Sequence, residues 1–82
     1  MDIAVVILNW NGLNMLKTYL PILIERTPHP GAFIVVADNG STDGSVAWLQ
    51  AEHSEIRTLC FDKNYGFTGG YNRALKQVEA DY

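Results

Sequence analysis

In 82 residues there is room for one domain with a small core, because a chain of this size buries only roughly 60 to 65% of the surface its unfolded form exposes. Six Lys and Arg against nine Asp and Glu leave a net charge of −3, which excludes the basic stripe of a nucleic-acid-binding surface. No apolar run is long enough to span a bilayer, and Met1 introduces neither a basic flank nor a cleavage signal, so a cytoplasmic chain without a transmembrane segment is expected.

Ile3 to Leu8 is uniformly apolar and rich in β-branched residues, which predicts a strand buried on both faces and ending at Asn9-Trp10-Asn11-Gly12. An indole at the carboxyl edge of a sheet can stack on a flat base, with Asn9 and Asn11 offering donors and acceptors, or it can pack under the first helix. From Leu13 the period becomes helical through Leu16, Leu20, Leu23 and Ile24, and Pro21 is expected to kink or split that helix. Thr27-Pro28-His29-Pro30-Gly31 reads as a turn, with His29 a solvated loop residue.

Phe33 to Ala37 is a second continuous apolar run, and it breaks abruptly into Asp38-Asn39-Gly40-Ser41-Thr42-Asp43. Ligands of parallel sheets bind beyond the carboxyl ends of the strands, so Asp38 is a candidate acceptor for a base or ribose. The same residues also suit a turn and helix cap, with Ser41, Thr42 or Asp43 serving the free amides of a helix beginning near Gly44. Trp48 reads as core, and His53 has no partner at ligand spacing.

Ile56 to Phe61 is a third strand, less apolar and therefore nearer an edge, and its lone Cys60 reads as a small buried hydrophobe in a reducing compartment. A loop with three glycines, Asp62 to Asn72, then leads to a helix from Arg73 to Ala80 with Tyr71, Leu75 and Val78 inward. The glycines suit either a phosphate or close helix packing, and their spacing is neither that of a P-loop nor that of a dinucleotide fold. The order β-α-β-α-β-α predicts an α/β protein with a three-layer, Rossmann-like parallel sheet.

Three segments, Ile7 to Gly12, Val36 to Ser45 and Asn64 to Ala74, together resemble the amino-terminal part of family 2 glycosyltransferases of the GT-A fold. The Asn9-Trp10-Asn11 form is most similar to the rhamnosyltransferase-like branch. The resemblance covers the whole chain and implies a truncated GT-A domain, residues 1–82, carrying the donor half of an inverting enzyme. That enzyme passes a sugar from a nucleotide-diphosphate-sugar to an acceptor hydroxyl in cell-surface glycan synthesis, at or near the inner face of the membrane. By the same resemblance Trp10 flanks the base, Asp38 and Asn39 hold base or ribose, and Asn9, Asn11, Ser41, Asn64, Gly66, Tyr71 and Asn72 complete the donor site. Asn39 departs from the family's Asp-Asp form. Tyr71 stands where many members have Arg, with Arg73 nearby.

The resemblance also implies a divalent metal, Mg or Mn, on an Asp-x-Asp-like motif and a catalytic base, both expected beyond Tyr82. No catalytic or metal-binding residue is therefore assigned within the chain, and the fragment is expected to be inactive. The alternative is a stand-alone, non-catalytic nucleotide-binding or assembly module. Without a fourth strand, Ile3 to Leu8 becomes an apolar edge, which predicts self-association.

Overall fold

The computed structural model describes residues 3–27 and 31–81. They form β1 (Ile3–Asn9), α1 (Leu13–Arg26), β2 (Ala32–Asp38), α2 (Ser45–Glu52), β3 (Arg57–Cys60) and α3 (Gly66–Asp81). The three strands are parallel in the order β1-β2-β3, with Asn9, Asp38 and Cys60 side by side on the last rung. The centre of the expected Thr27–Gly31 turn, including His29, lies outside the described residues.

Alternation along β2 explains why its sequence is continuously apolar. Ile34 and Val36 face one layer and pack with Leu16, Leu20 and Leu49 of α1 and α2. Val35 and Ala37 face the other and pack with Leu59, Ala74 and Val78, beneath α3. Both faces of the central strand are covered, so neither tolerates a polar side chain until the strand ends.

Four local expectations are corrected. Helix α1 runs unbroken through Pro21, because Lys17, whose carbonyl loses its amide partner, and Pro21 itself lie on the exposed side, where solvent can serve that group. Helix α3 begins at Gly66, seven residues before Arg73, so the three glycines belong to the helix. Its inward stripe is Gly70, Ala74 and Val78, and Leu75 is exposed. Cys60 is exposed as well, since it closes a four-residue strand at the sheet's edge.

Gly70 shows why a glycine sits inside a helix that it weakens. A β-carbon there would lie 2.8 Å from Leu8 Cδ1 and 2.9 Å from Asn39 Nδ2, too close for either atom. The absence of a side chain lets α3 settle onto the ends of β1 and β2.

Candidate functional site

The carboxyl ends of β1 and β2 and the loop entering α3 meet in one hydrogen-bonded rim. Asn9 Nδ2 donates to Asp38 Oδ1 at 2.9 Å and to Ser41 Oγ at 3.2 Å. The backbone amide of Ser41 donates to Asp38 Oδ2 at 2.9 Å. Both carboxylate oxygens of Asp38 are thus engaged, and the residue is 2% exposed. Its buried charge is held by two donors, as a buried carboxylate requires.

Asn39 performs the same service on the other side. Its Nδ2 donates to Asn64 Oδ1 and to the Gly66 carbonyl, each at 3.1 Å, and its Oδ1 accepts the amide of Tyr65 at 2.9 Å. Asn64 Oδ1 also accepts the Gly66 amide at 2.7 Å, so this pair of asparagines fixes where α3 begins. A carboxylate at position 39 would oppose two acceptors, Asn64 Oδ1 and the Gly66 carbonyl. The departure from Asp-Asp is therefore matched by its surroundings.

The loops after β1 and β2 are clasped to each other. Asn11, in the left-handed region at φ 50°, receives Thr42 N on its Oδ1 at 2.8 Å and donates its own amide to Ser41 Oγ at 2.8 Å. Asp43 bridges two helix starts, accepting Leu13 N through Oδ2 at 3.0 Å, Ser45 N through Oδ1 at 3.0 Å, and the Ser45 hydroxyl. Of the three candidate caps, only Asp43 serves α2, while Ser41 serves β1 and the following loop.

The Ser45 hydroxyl, assisted by the amides of Leu13 and Ser45, holds Asp43 below its ordinary 3.8 against a smaller opposing effect of burial. A depressed carboxyl pKa stabilises the fold fully above 3.8 and loses that contribution as pH falls through the folded value. Asp43→Asn should therefore flatten the acid limb of a melting-temperature profile below pH 3.8. The effect is small for a group this exposed to solvent. Superimposable profiles would remove the ionic role.

The assigned residues thus divide into two sets. Asn9, Asp38 and Asn39 are buried and form the underside of the rim, and Ser41 is half-buried among them. Trp10, Asn11, Asn64 and Gly66 face solvent above it, with Trp10 57% exposed. Tyr71 is half-buried and stacks edge-on against Phe67, ring centres 5.0 Å apart. Asn72 is exposed and takes no part in the network.

Arg73, the cation nearest Tyr71 in sequence, is stacked on the Tyr65 ring at 3.6 Å, with Lys63 at 5.2 Å. The Tyr65 hydroxyl binds Asp62, which raises the phenol and lowers the carboxyl. Asp43 was legible only as a helix cap, and the ring contacts of Tyr65 and Phe67 were not legible at all. The Phe67–Tyr71 pair becomes visible only once the helix is known to start at Gly66, which places them one turn apart.

A family model, Glycosyl transferase family 2, matches residues 4–82. The chain belongs to glycosyl transferase family 2. A solved structure with the same fold is a mannosyltransferase from Pyrobaculum calidifontis in complex with GDP-mannose and Mn2+, at TM-score 0.76 and 21% identity. The match covers 93% of this chain and 24% of the mannosyltransferase, so the chain spans about a quarter of that enzyme's length. None of the curated protein sequences matches it. The expected three-layer α/β fold of a GT-A domain is borne out at this level.

Among the described residues of this family member, the candidate metal ligands are not gathered into a cluster. No three His, Cys, Asp or Glu side chains come together, and Asp38, Asp43 and Asp62 are each engaged by protein donors. These residues do not fit a divalent ion. No helix among them is long and apolar enough to cross a membrane.

Proposed function

We propose that the chain is the donor-nucleotide side of an inverting family 2 transferase of the rhamnosyltransferase-like branch. The whole enzyme passes a sugar from a nucleotide-diphosphate-sugar to an acceptor hydroxyl during cell-surface glycan synthesis in the cytoplasm, peripheral to the membrane. The supporting observation is an exposed Trp10 mounted on a rim that buried Asp38 and Asn39 hold rigid, within a chain matched by the family from residue 4 to 82.

On this reading Trp10 stacks on the base, and the solvent-facing Asn11, Asn64 and Gly66 border the nucleotide. Asn9, Asp38, Asn39 and Ser41 fix the positions of these groups, and Tyr71 with Phe67 walls the α3 side, Asn72 lying beyond. Displacement at an anomeric carbon requires a deprotonated acceptor and a stabilised diphosphate leaving group. The engaged carboxylates here supply neither, so the 82-residue chain binds donor nucleotide without transferring sugar, and the Mg or Mn ligands and the base belong to other parts of the enzyme.

A fluorescence titration tests the binding role. In a Trp48→Phe background, GDP, UDP and dTDP are added in turn, GDP first because the mannosyltransferase neighbour carries GDP-mannose. Saturable quenching of Trp10 is expected with one of them. Trp10→Ala, followed by isothermal titration calorimetry because it removes the fluorophore, should weaken binding by about 5- to 150-fold, since a base stacked on an aromatic ring contributes roughly 1 to 3 kcal/mol. Binding seen by calorimetry with Trp10 emission unchanged, and equal in Trp10→Ala, would place any nucleotide elsewhere.

A further inference from the structure

Asn-Gly occurs twice in the chain, at Asn11-Gly12 and at Asn39-Gly40. A glycine on the carboxyl side leaves its amide nitrogen unshielded and its backbone free to bring that nitrogen onto the asparagine side chain. In water such a pair can react with itself. The glycine nitrogen gives up its proton and attacks Cγ, the bond from Cγ to Nδ2 breaks, and ammonia leaves with that proton. Water then opens the five-membered imide at either of its carbonyls, which gives an aspartyl or an isoaspartyl residue. The net change consumes a water and releases an ammonia, with no oxidant or reductant.

The fold sets these two identical pairs apart. Asn39 is 2% exposed, and its side chain is held toward the loop entering α3 by its bonds to Asn64, Gly66 and Tyr65. Turning Cγ onto the Gly40 nitrogen would break every one of them, and Gly40 is itself packed against the main chain of Lys63 and Asn64. Water for the second step is excluded as well. All of these contacts lie between the end of β2 and the start of α3, so the chain supplies them by itself. Asn11 is held at a single point of its side chain, where Oδ1 accepts the Thr42 amide at 2.8 Å. That bond favours the charge that builds on oxygen during attack. Asn11 Nδ2 and the Gly12 amide have no hydrogen-bond partner among the described residues, so neither leaving group nor nucleophile is restrained.

We propose that Asn39-Gly40 is a deamidation site gated by folding, closed in the folded chain and open once the β3–α3 loop releases Asn39, whereas Asn11-Gly12 is modified in the folded chain. Refolding does not rescue a chain marked at position 39. An aspartyl there turns an oxygen toward Asn64 Oδ1 and the Gly66 carbonyl. An isoaspartyl adds a carbon to the main chain of a turn that already touches Lys63 and Asn64. Neither product can restore the rim, so time spent unfolded becomes a permanent loss of foldable chain. The site works without any nucleotide.

Peptide mass spectrometry of the 82-residue chain, kept in warm, mildly alkaline buffer with and without guanidinium chloride above the unfolding midpoint, follows both pairs. Trypsin cuts after Lys17, Arg26 and Arg57 and so places them on separate peptides. In denaturant the two should react at similar rates. In buffer Asn39 should react at least about a hundredfold more slowly than in denaturant, because only the small open population is competent, while Asn11 continues to be modified. When denaturant is removed from partly modified material, the fraction that elutes as folded chain on size exclusion should carry no modification at position 39. Asn39 modified in buffer as fast as in denaturant, Asn11 no faster than Asn39 in buffer, or chains modified at position 39 within the refolded fraction would each overturn the proposal.

Discussion

Gly40→Ala is expected to destabilise the chain by about 3 kcal/mol or more, read as a fall in the urea midpoint followed by circular dichroism. Gly40 has φ 79°, and a β-carbon there would lie 2.7 Å from the carbonyl carbon of Lys63 and 2.9 Å from the Asn64 amide nitrogen. Those are main-chain atoms of the loop that Asn39 and Asn64 pin to the rim, so they cannot yield by a change of rotamer. Either the β3–α3 loop moves off β2 and releases the Asn39 bonds, or the turn after β2 leaves its left-handed conformation. Both routes dismantle the rim, so nucleotide binding should fall with stability. A midpoint within experimental error of wild type would show that the loop accommodates a methyl group and is not packed as described.

Asn39→Ala should have a comparable effect by another cause. The side chain is 2% exposed and satisfies the Gly66 carbonyl, the Tyr65 amide and Asn64 Oδ1. Its removal leaves two groups in part-buried contacts, the Tyr65 amide and the Gly66 carbonyl, without this partner, at up to about 1 to 3 kcal/mol for each. The expected loss is about 3 kcal/mol, a large part of the roughly 4 to 12 kcal/mol available to a domain of this length. Asn39→Asp discriminates further. It keeps the acceptor for Tyr65 N but turns an oxygen toward two acceptors, so it should be destabilised nearly as much. If the Asn39→Asp chain were as stable as wild type, Asn64 would have to reverse its amide and the start of α3 would be held by something else. Hydrogen exchange at the Tyr65 and Gly66 amides reports directly on that end.

The layers of this fold were legible because burial on both faces writes itself into consecutive residues. Phe33 to Ala37 admits no polar side chain and is buried from Ile34 onward, whereas Ile3 to Leu8 forms the expected strand but at the sheet's edge, exposed at Ile3 and half-buried from Ala4 to Leu8. What sequence could not show depended on contacts between distant positions. The helix from Gly66 contains three glycines that lower its intrinsic propensity, and only the close approach to Leu8 and the asparagine pair at 39 and 64 explains why it starts there.

Nothing near Asp38 in sequence announces Asn9, 29 positions earlier, as a partner of this candidate residue. That the strand ends gather into one rim could be read from their polar termini, whereas the division of labour within the rim could not. Buried side chains hold the shape, while exposed ones just beyond them face solvent. Pro21 misled, since a local rule about helix interiors was overridden by Leu16 and Leu20 before it and Leu23 and Ile24 after it, which anchor both halves of α1 to one core.

The single cysteine offers a vantage point on this rim. Cys60 is solvent-accessible on the last rung of β3, beside Asp38 and one strand removed from Asn9. Partial burial and the Asp38 charge raise its thiol, so little thiolate is present at neutral pH and maleimide coupling there is slow. At mildly alkaline pH the same sulfur becomes a unique attachment point. A fluorophore or spin label placed on it would watch the three strand ends move as a unit without any engineered mutation.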